Sequence, residues 1–234
     1  MGAETDWSAA ILIGGLSERF VGPKFLSKVG GKTLIRRVAE AVVPPGGDLM
    51  LVTGRGIPPD VAHEVSREVF GLRAGEILGA QVARPRFIED TPGLKTLAAG
   101  VEAALLAAES TVVFVAAADL PFIERGLVLE LVQRARDAHA AVPFHRGLYE
   151  PVCAAYNGKI LPIVSRYRSN PSGPMSSCFE DPSVSVARLM EEEIRKFGDP
   201  AVLFLNVNTR EDLRRAETHA TSKGRRSERE IGET

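Results

Sequence analysis

The residues best suited to chemistry in this sequence cluster behind two apolar runs. In "AAILIGGLSERFVGPK" a strand-like run leads straight into Gly14-Gly15, with Arg19 and Lys24 close behind. In "VVFVAAADLPFI" the most apolar run of the chain ends on Asp119, and Leu-Pro follows. Glycine has no Cβ, so backbone N–H groups there can approach a phosphate closely. Arginine can grip phosphate oxygens with paired hydrogen bonds, and lysine adds a compact charge. One carboxylate plus substrate phosphates is enough to hold Mg2+. Together the set reads as a site for a polyphosphate and a divalent cation. Each half also has a plainer reading: a surface loop with two solvated cations, and an Asp capping the next turn.

A competing phosphate site is suggested by "KVGGKTL", whose Gly30-Gly31-Lys32-Thr33 ends like a P-loop. A P-loop is G-x-x-x-x-G-K-[S/T] between a strand and a helix. Its first glycine would fall on residue 26, which is Leu26, and "PKFLSKV" is not a buried strand. The segment therefore predicts a tight turn at Gly30-Gly31, with Thr33 capping the helix that follows.

Apolar runs and helical patterns alternate along the chain. Strands are expected at Ser8–Ile13, Asp48–Thr53, "RFIED", Thr111–Asp119, "AAVPF", "PVCAAY" and "VLFLNVN". Helices are expected at "TLIRRVAEAVV", Val61–Phe70, "LKTLAAGVEAALLAAE", "ERGLVLELVQRARDA" and "VSVARLMEEEIRKFG". Such alternation implies an α/β fold with a mostly parallel sheet covered on both faces. In such sheets ligands bind beyond the carboxyl ends of the strands, where both the Gly-Gly loop and Asp119 fall. "RSNPSGPMSSCFEDPS" reads as a long loop. The 234 residues suit a single domain over 1–213, followed by a charged, flexible tail over 214–234.

A net charge of -1 argues against a broad nucleic-acid surface. No apolar run approaches the roughly 20 residues that span a bilayer, and the N-terminus lacks a signal-peptide pattern, so a cytoplasmic protein is expected. Cys153 and Cys178 form no Cys-x-x-Cys pair, so a zinc site is not expected. His63, His139, His145 and His219 read as surface residues, with His145 in a loop.

Taken in order, these segments resemble a known family. "AAILIGGLSERFVGPKFLSKVGGKTLIRRV" resembles the nucleotidyltransferase signature, "ADLPFI" its Asp-x-Pro segment, and "LFLNVNTREDL" the close of the molybdenum cofactor guanylyltransferases. "FIEDTPG" and "YEPVCAAY" fall in matching order, and the likeness runs from about Ala9 to Leu213. The resemblance implies a Rossmann-like three-layer fold of the nucleotide-diphospho-sugar transferase type. It implies a Mg2+-dependent transfer of GMP from GTP to molybdopterin cofactor, with release of pyrophosphate. Leu12, Ile13, Gly14 and Gly15 would meet the nucleotide through their backbone. Arg19 and Lys24 would hold the phosphates, Asp90 would lie near the nucleoside, and Asp119 would ligate Mg2+. Asn206 and Asn208 would border the acceptor. Other cofactor-biosynthesis proteins or acceptor enzymes are the implied partners.

The chain departs from the family pattern at several points. Pro23 stands where the family has Asp, Ile13 where it has Ala, and Val52 or Thr53 where an Asn is common. "LKT" stands for the usual Gly-Pro-Leu before Leu97. These positions bear on the nucleotide pocket, so two alternatives stay open: a related nucleotidyltransferase with CTP or another phosphorylated acceptor, and a nucleotide-binding regulator without turnover. Joint presence of Arg19, Lys24 and Asp119 favours an enzyme, because a sensor has less need of three charge-neutralising groups.

Overall fold

The computed structural model describes residues 7–13, 23–44, 48–53, 58–70, 85–90, 96–168 and 174–231. In chain order its elements are β1 (Ser8–Ile13), β2 (Lys28–Val29), β3 (Lys32–Thr33), α1 (Leu34–Val42), β4 (Leu49–Thr53), α2 (Pro59–Phe70), β5 (Arg86–Glu89), α3 (Leu97–Ala107), β6 (Val112–Ala117), α4 (Arg125–Ala135), β7 (Ala140–His145), β8 (Leu148–Tyr149), β9 (Cys153–Asn157), α5 (Leu161–Arg168), β10 (Val186–Met190), α6 (Glu191–Ile194), α7 (Pro200–Leu203) and α8 (Arg210–Ile231).

The main sheet has the order β10-β7-β9-β6-β1-β4-β5, with β8 pairing β7. Strands β6, β1, β4 and β5 run parallel, as do β10 and β7, while β9 is antiparallel to both of its neighbours. After β5 the chain returns to place β6 on the other side of β1. That reversal opens a crevice at the carboxyl end of β1, where open α/β sheets bind their ligands. Alternate side chains feed two cores. Ile11, Ile13, Leu51 and Phe114 pack with α1, α2 and α4, whereas Ala10, Met50, Val52 and Val115 pack with α3 and α5. Both faces are covered, which is why these strands read as continuous apolar runs.

Two segments differ from their sequence pattern. The helix expected over "VSVARLMEEEIRKFG" is strand β10 followed by the short α6. Short apolar runs fit either periodicity, and here β7 offers a free edge with which Val186–Met190 pair in register. The strand expected at "VLFLNVN" begins instead inside α7, started by the Asp199 side chain accepting from Ala201 N–H. Residues Leu205 to Asn208 then run outside helix and strand, and Val207 is buried. Within the expected long loop, Met175–Glu180 form a 3-10 stretch that buries Met175, Cys178 and Phe179. Residues 169–173 of it lie outside the described ones.

Near the site a third, small core joins Val29, Leu34, Val207 and Ala216, with Phe122, Leu205, Leu213 and Ala220 against it. Helix α8 supplies one wall and runs unbroken across the boundary read at residue 213. Strands β2 and β3 form a hairpin whose turn is the "GGK" segment. Gly30 and Gly31 have φ of 55° and 77°, and Thr33 caps α1 by accepting from Arg36 N–H. The Gly30 N–H donates to Glu217 of α8 at 2.8 Å, and Arg37 Nε donates to the Val29 carbonyl. A Cβ on Gly30 would sit 2.4 Å from the Arg37 guanidinium, while one on Gly31 would meet nothing within 4 Å. The start of α8 is a capping box. The Asp212 carboxylate accepts from the backbone N–H groups of Asn208 and Thr209 and from the Thr209 hydroxyl, which in turn accepts from Asp212 N–H.

Gly30→Ala should destabilise the protein by about 1–3 kcal/mol, from the left-handed backbone plus the displaced Arg37. Gly31→Ala should cost only the backbone part, about 1 kcal/mol. Urea denaturation of the two variants checks the order, and equal losses would remove the role given to Arg37. At the other contact, the Thr209 hydroxyl and then the two N–H groups hold the Asp212 carboxyl below its ordinary value. A depressed carboxyl adds stability above its unfolded pKa, and that stability is lost as pH falls through the folded value. Asp212→Ala should therefore cost about 1 kcal/mol near neutrality, and its deficit should shrink below about pH 4. Urea midpoints measured for both proteins across that range test the sign.

Candidate active site

The crevice is assembled from strand ends. Ala117 of β6 lies in register with Leu12 of β1, and Ala118 N–H continues the pairing by donating to the Leu12 carbonyl at 3.1 Å. Asp119 is the next residue. On the far side, Ile13 pairs with Thr53, Thr53 with Glu89, and Asp90 N–H donates to the Thr53 carbonyl. Leu12, Ile13, Asp90 and Asp119 thus share one edge. Three strand spacings separate Asp90 from Asp119, or about 14 Å. The two carboxylates mark opposite ends of the crevice instead of forming a pair.

Lys24 reaches this edge from a separate segment. Pro23 starts a single 3-10 turn, Lys24–Leu26, in which buried Phe25 anchors the chain and leaves the neighbouring Lys24 side chain pointing into the site. Lys24 Nζ donates to Asp119 Oδ2 at 2.5 Å and to Asn208 Oδ1 at 2.8 Å. Their side chains are 19% and 16% exposed for Lys24 and Asp119, so the ion pair is partly shielded from water. The third member arrives because Val207, buried in the small core, donates its N–H to the Asp119 carbonyl. Asn208 follows and is fixed by the Asp212 cap. The charge-neutralising lysine, the carboxylate and the amide therefore converge from residues 24, 119 and 208.

Asp119 Oδ1 and Asp90 Oδ1 are buried and have no hydrogen-bond partner among the described residues. Burial pushes the Asp90 carboxyl above its usual value, and the charge of Glu89 adds to that. An unpartnered buried acceptor is costly and points to a missing donor or cation. Among the described residues no group of three or more acidic, His or Cys side chains could hold a metal ion.

The remaining sequence candidates divide clearly. Gly14, Gly15 and Arg19 lie outside the described residues. Ile13 is buried on the α1 face, so its bulk relative to the family's Ala is taken up by the core. Leu12 faces α3, where a Cβ on Gly100 would approach it to 3.4 Å. Asn206 is exposed beside Val207. His145 is neither in a loop nor at the surface: it ends β7, is buried, and sits with Nδ1 3.0 Å from Glu191 Oε2. Burial pushes both thiols up, that of Cys178 to about 12, so neither serves as a nucleophile.

One positioning network escaped the sequence. Glu102 of α3 is buried and accepts from Ser165 and Arg168 of α5, while Thr96 donates its hydroxyl to the Arg168 carbonyl. This locks the start of α3, which packs on Leu12. Arg166 pairs with Asp181. Arg166 and Arg168 are thus both engaged in ion pairs. No local signal identifies their partners, which lie 15 and 66 positions away.

Comparison with known proteins gives the chain a family and a fold class. Residues 9–183 match the MobA-like NTP transferase domain. The chain is 31% identical over 214 residues to a probable molybdenum cofactor guanylyltransferase of Pelotomaculum thermopropionicum, spanning 91% of this chain and 93% of that protein. It is 26% identical to the molybdenum cofactor guanylyltransferase of Desulfosudis oleivorans, over 88% of this chain and 92% of that one. In fold it is similar to molybdopterin-guanine dinucleotide biosynthesis protein A from Archaeoglobus fulgidus, with a TM-score of 0.68, 24% identity and coverage of 92% and 99%. It is likewise similar to 4-diphosphocytidyl-2C-methyl-D-erythritol synthase from Anaerococcus prevotii, with a TM-score of 0.67, 16% identity and coverage of 93% and 97%. With a mostly parallel sheet matched over most of the chain by these relatives, this protein is a nucleotidyltransferase that belongs to the MobA-like, molybdenum cofactor guanylyltransferase family.

Proposed function

We propose that the chain is a magnesium-dependent guanylyltransferase that moves GMP from GTP to molybdopterin cofactor and releases pyrophosphate. The observation that carries this reading is the meeting of Lys24, Asp119 and Asn208 at the carboxyl edge of the sheet. The names of the sequence relatives support the guanylyl and molybdopterin parts.

The residues present fit Mg2+. That ion takes one or two protein carboxylates and completes its shell with water and substrate phosphates. Asp119 would hold it, with a buried Oδ1 that no described residue satisfies. Bound there, the ion would supply charge neutralisation at the triphosphate.

The chemistry asks little more of the protein than positioning and neutralised charge. An acceptor phosphate oxygen attacks the α-phosphorus of GTP. The bond to the β-phosphate oxygen breaks, and pyrophosphate leaves with the electron pair. Lys24, with Arg19, stabilises the charge that develops on that leaving group, so its main effect falls in the transition state. A phosphate acceptor is already ionised near neutrality, so no strong general base is required. Asp90, with its unpartnered oxygen at the far end of the crevice, is placed to accept from a donor of the nucleoside. Asn206 and Asn208 border the acceptor side. No helix among the described residues is long and apolar enough to cross a membrane, which suits a cytoplasmic biosynthetic role. Other cofactor-biosynthesis proteins or acceptor enzymes would receive the product.

Lys24→Ala should lower turnover about 10²- to 10³-fold while leaving the fold intact. Pyrophosphate release at the wild-type rate would show that Lys24 does not act on the leaving group. Calorimetry with Mg2+ should give tighter binding of GTP than of CTP. Equal or reversed affinities would remove the guanylyl assignment.

A further inference from the structure

Lys24 is bonded to the very carboxylate that the proposed function gives to the cation. Its Nζ holds Asp119 Oδ2 at 2.5 Å in a part-buried ion pair and Asn208 Oδ1 at 2.8 Å in an exposed contact. We propose that Lys24 is a place-holder for the divalent cation: parked on Asp119 and Asn208, it keeps free cation out until a nucleoside triphosphate draws it away. The inference rests on the reading of Asp119 as the cation ligand and extends it to the order of binding.

The argument is one of geometry and charge. A divalent cation binds a carboxylate oxygen at about 2.1 Å for Mg2+. An ammonium already within hydrogen-bond distance of that carboxylate repels the incoming ion and occupies one of its two oxygens. The other oxygen, Oδ1, is buried. A free cation drawn to that unsatisfied oxygen still meets the ammonium on the same carboxylate, and moving Lys24 away gives up its bonds to Asp119 and Asn208 with no phosphate to replace them. A triphosphate removes the obstacle. Its oxygens accept the ammonium, which swings on a flexible four-carbon stem, and they also complete the shell of the ion. Cation and nucleotide then bind as one unit, with positive coupling that is reciprocal by linkage. Asn208 has a defined part. It is neutral and is bonded to Lys24, so it acts on the cation only by holding the lysine in place. That makes it a positioning residue.

The test is Mn2+ binding by the full chain, read from water-proton relaxation, which separates protein-bound ion from Mn2+ held by free nucleotide. Wild type, Lys24→Met and Asn208→Ala are titrated with Mn2+ alone and then with GTP present, and thermal melts confirm folding. Without nucleotide, Lys24→Met should bind Mn2+ about tenfold more tightly than wild type, and Asn208→Ala severalfold more tightly. With GTP the advantage of Lys24→Met should disappear, because the phosphates have lost their lysine. Unchanged Mn2+ affinity in a folded Lys24→Met overturns the place-holder, yet leaves the function standing if wild type still binds Mn2+ with GTP. Tighter binding in Lys24→Met with no change in Asn208→Ala means plain charge repulsion, and also overturns it. Should Lys24→Met not fold, Asn208→Ala decides alone. Wild type that binds no Mn2+ even with GTP defeats both the inference and the cation reading beneath it.

Discussion

The parallel pairing of β1 with β4 on one side and β6 on the other sets almost everything in this protein. Its register places Leu12 opposite Ala117 and Ile13 opposite Thr53. One more hydrogen bond beyond each ladder, Ala118 to Leu12 and Asp90 to Thr53, carries the order past the strand ends. Asp119 and Asp90 leave the sheet from those points. A one-residue slip would turn every side chain of a strand to the other face and exchange the two cores that hold α1 and α3 in place. The positions of the acidic groups are therefore a consequence of core packing.

Sheet pairing alone does not bring up the cation. Lys24 is held by Phe25 in the first core, whereas Asn208 is delivered by the small core of Val29, Leu34, Val207 and Ala216, which gathers the hairpin, the α7–α8 connection and α8 itself. The hairpin turn must be left-handed at two successive residues, and at Gly30 it also needs space for Arg37. The Asp212 cap then fixes the backbone of Asn208. Phosphate chemistry depends on charges held in place before the reaction, because reorganising them during it would raise the barrier. Phe25 in the first core, next to Lys24, and Val207 in the small core, next to Asn208, meet that requirement.

The site is sparing in protein ligands, and this suits its substrate. A nucleoside triphosphate brings its own negative oxygens for the cation and its own acceptors for lysine and arginine. In the proposed function Asp119 anchors the cation, and about 14 Å along the sheet edge separates it from Asp90.

The sequence by itself determined the class of fold and the ligand class. Runs of β-branched residues alternating with helical patterns specify strands and helices locally, so β1, β4, β6, α1 and α3 were legible. So were the Gly30-Gly31 turn, the Thr33 cap, and the rejection of "KVGGKTL" as a phosphate loop. The sequence set Lys24 and Asp119 behind two strand-like runs, and the structure brings their side chains together at 2.5 Å. The tertiary structure decided what depends on distant partners. It took Val186–Met190 into the sheet because β7 had a free edge, and drew the "VLFLNVN" segment out of it because Val207 is needed in the small core. It carried α8 across the expected boundary by packing Ala216 against the hairpin. It buried His145, paired Arg168 with Glu102, and joined Asn208 to Lys24. Local pattern encodes periodicity and propensity, whereas pairing across 184 positions is an outcome of packing that no short window contains.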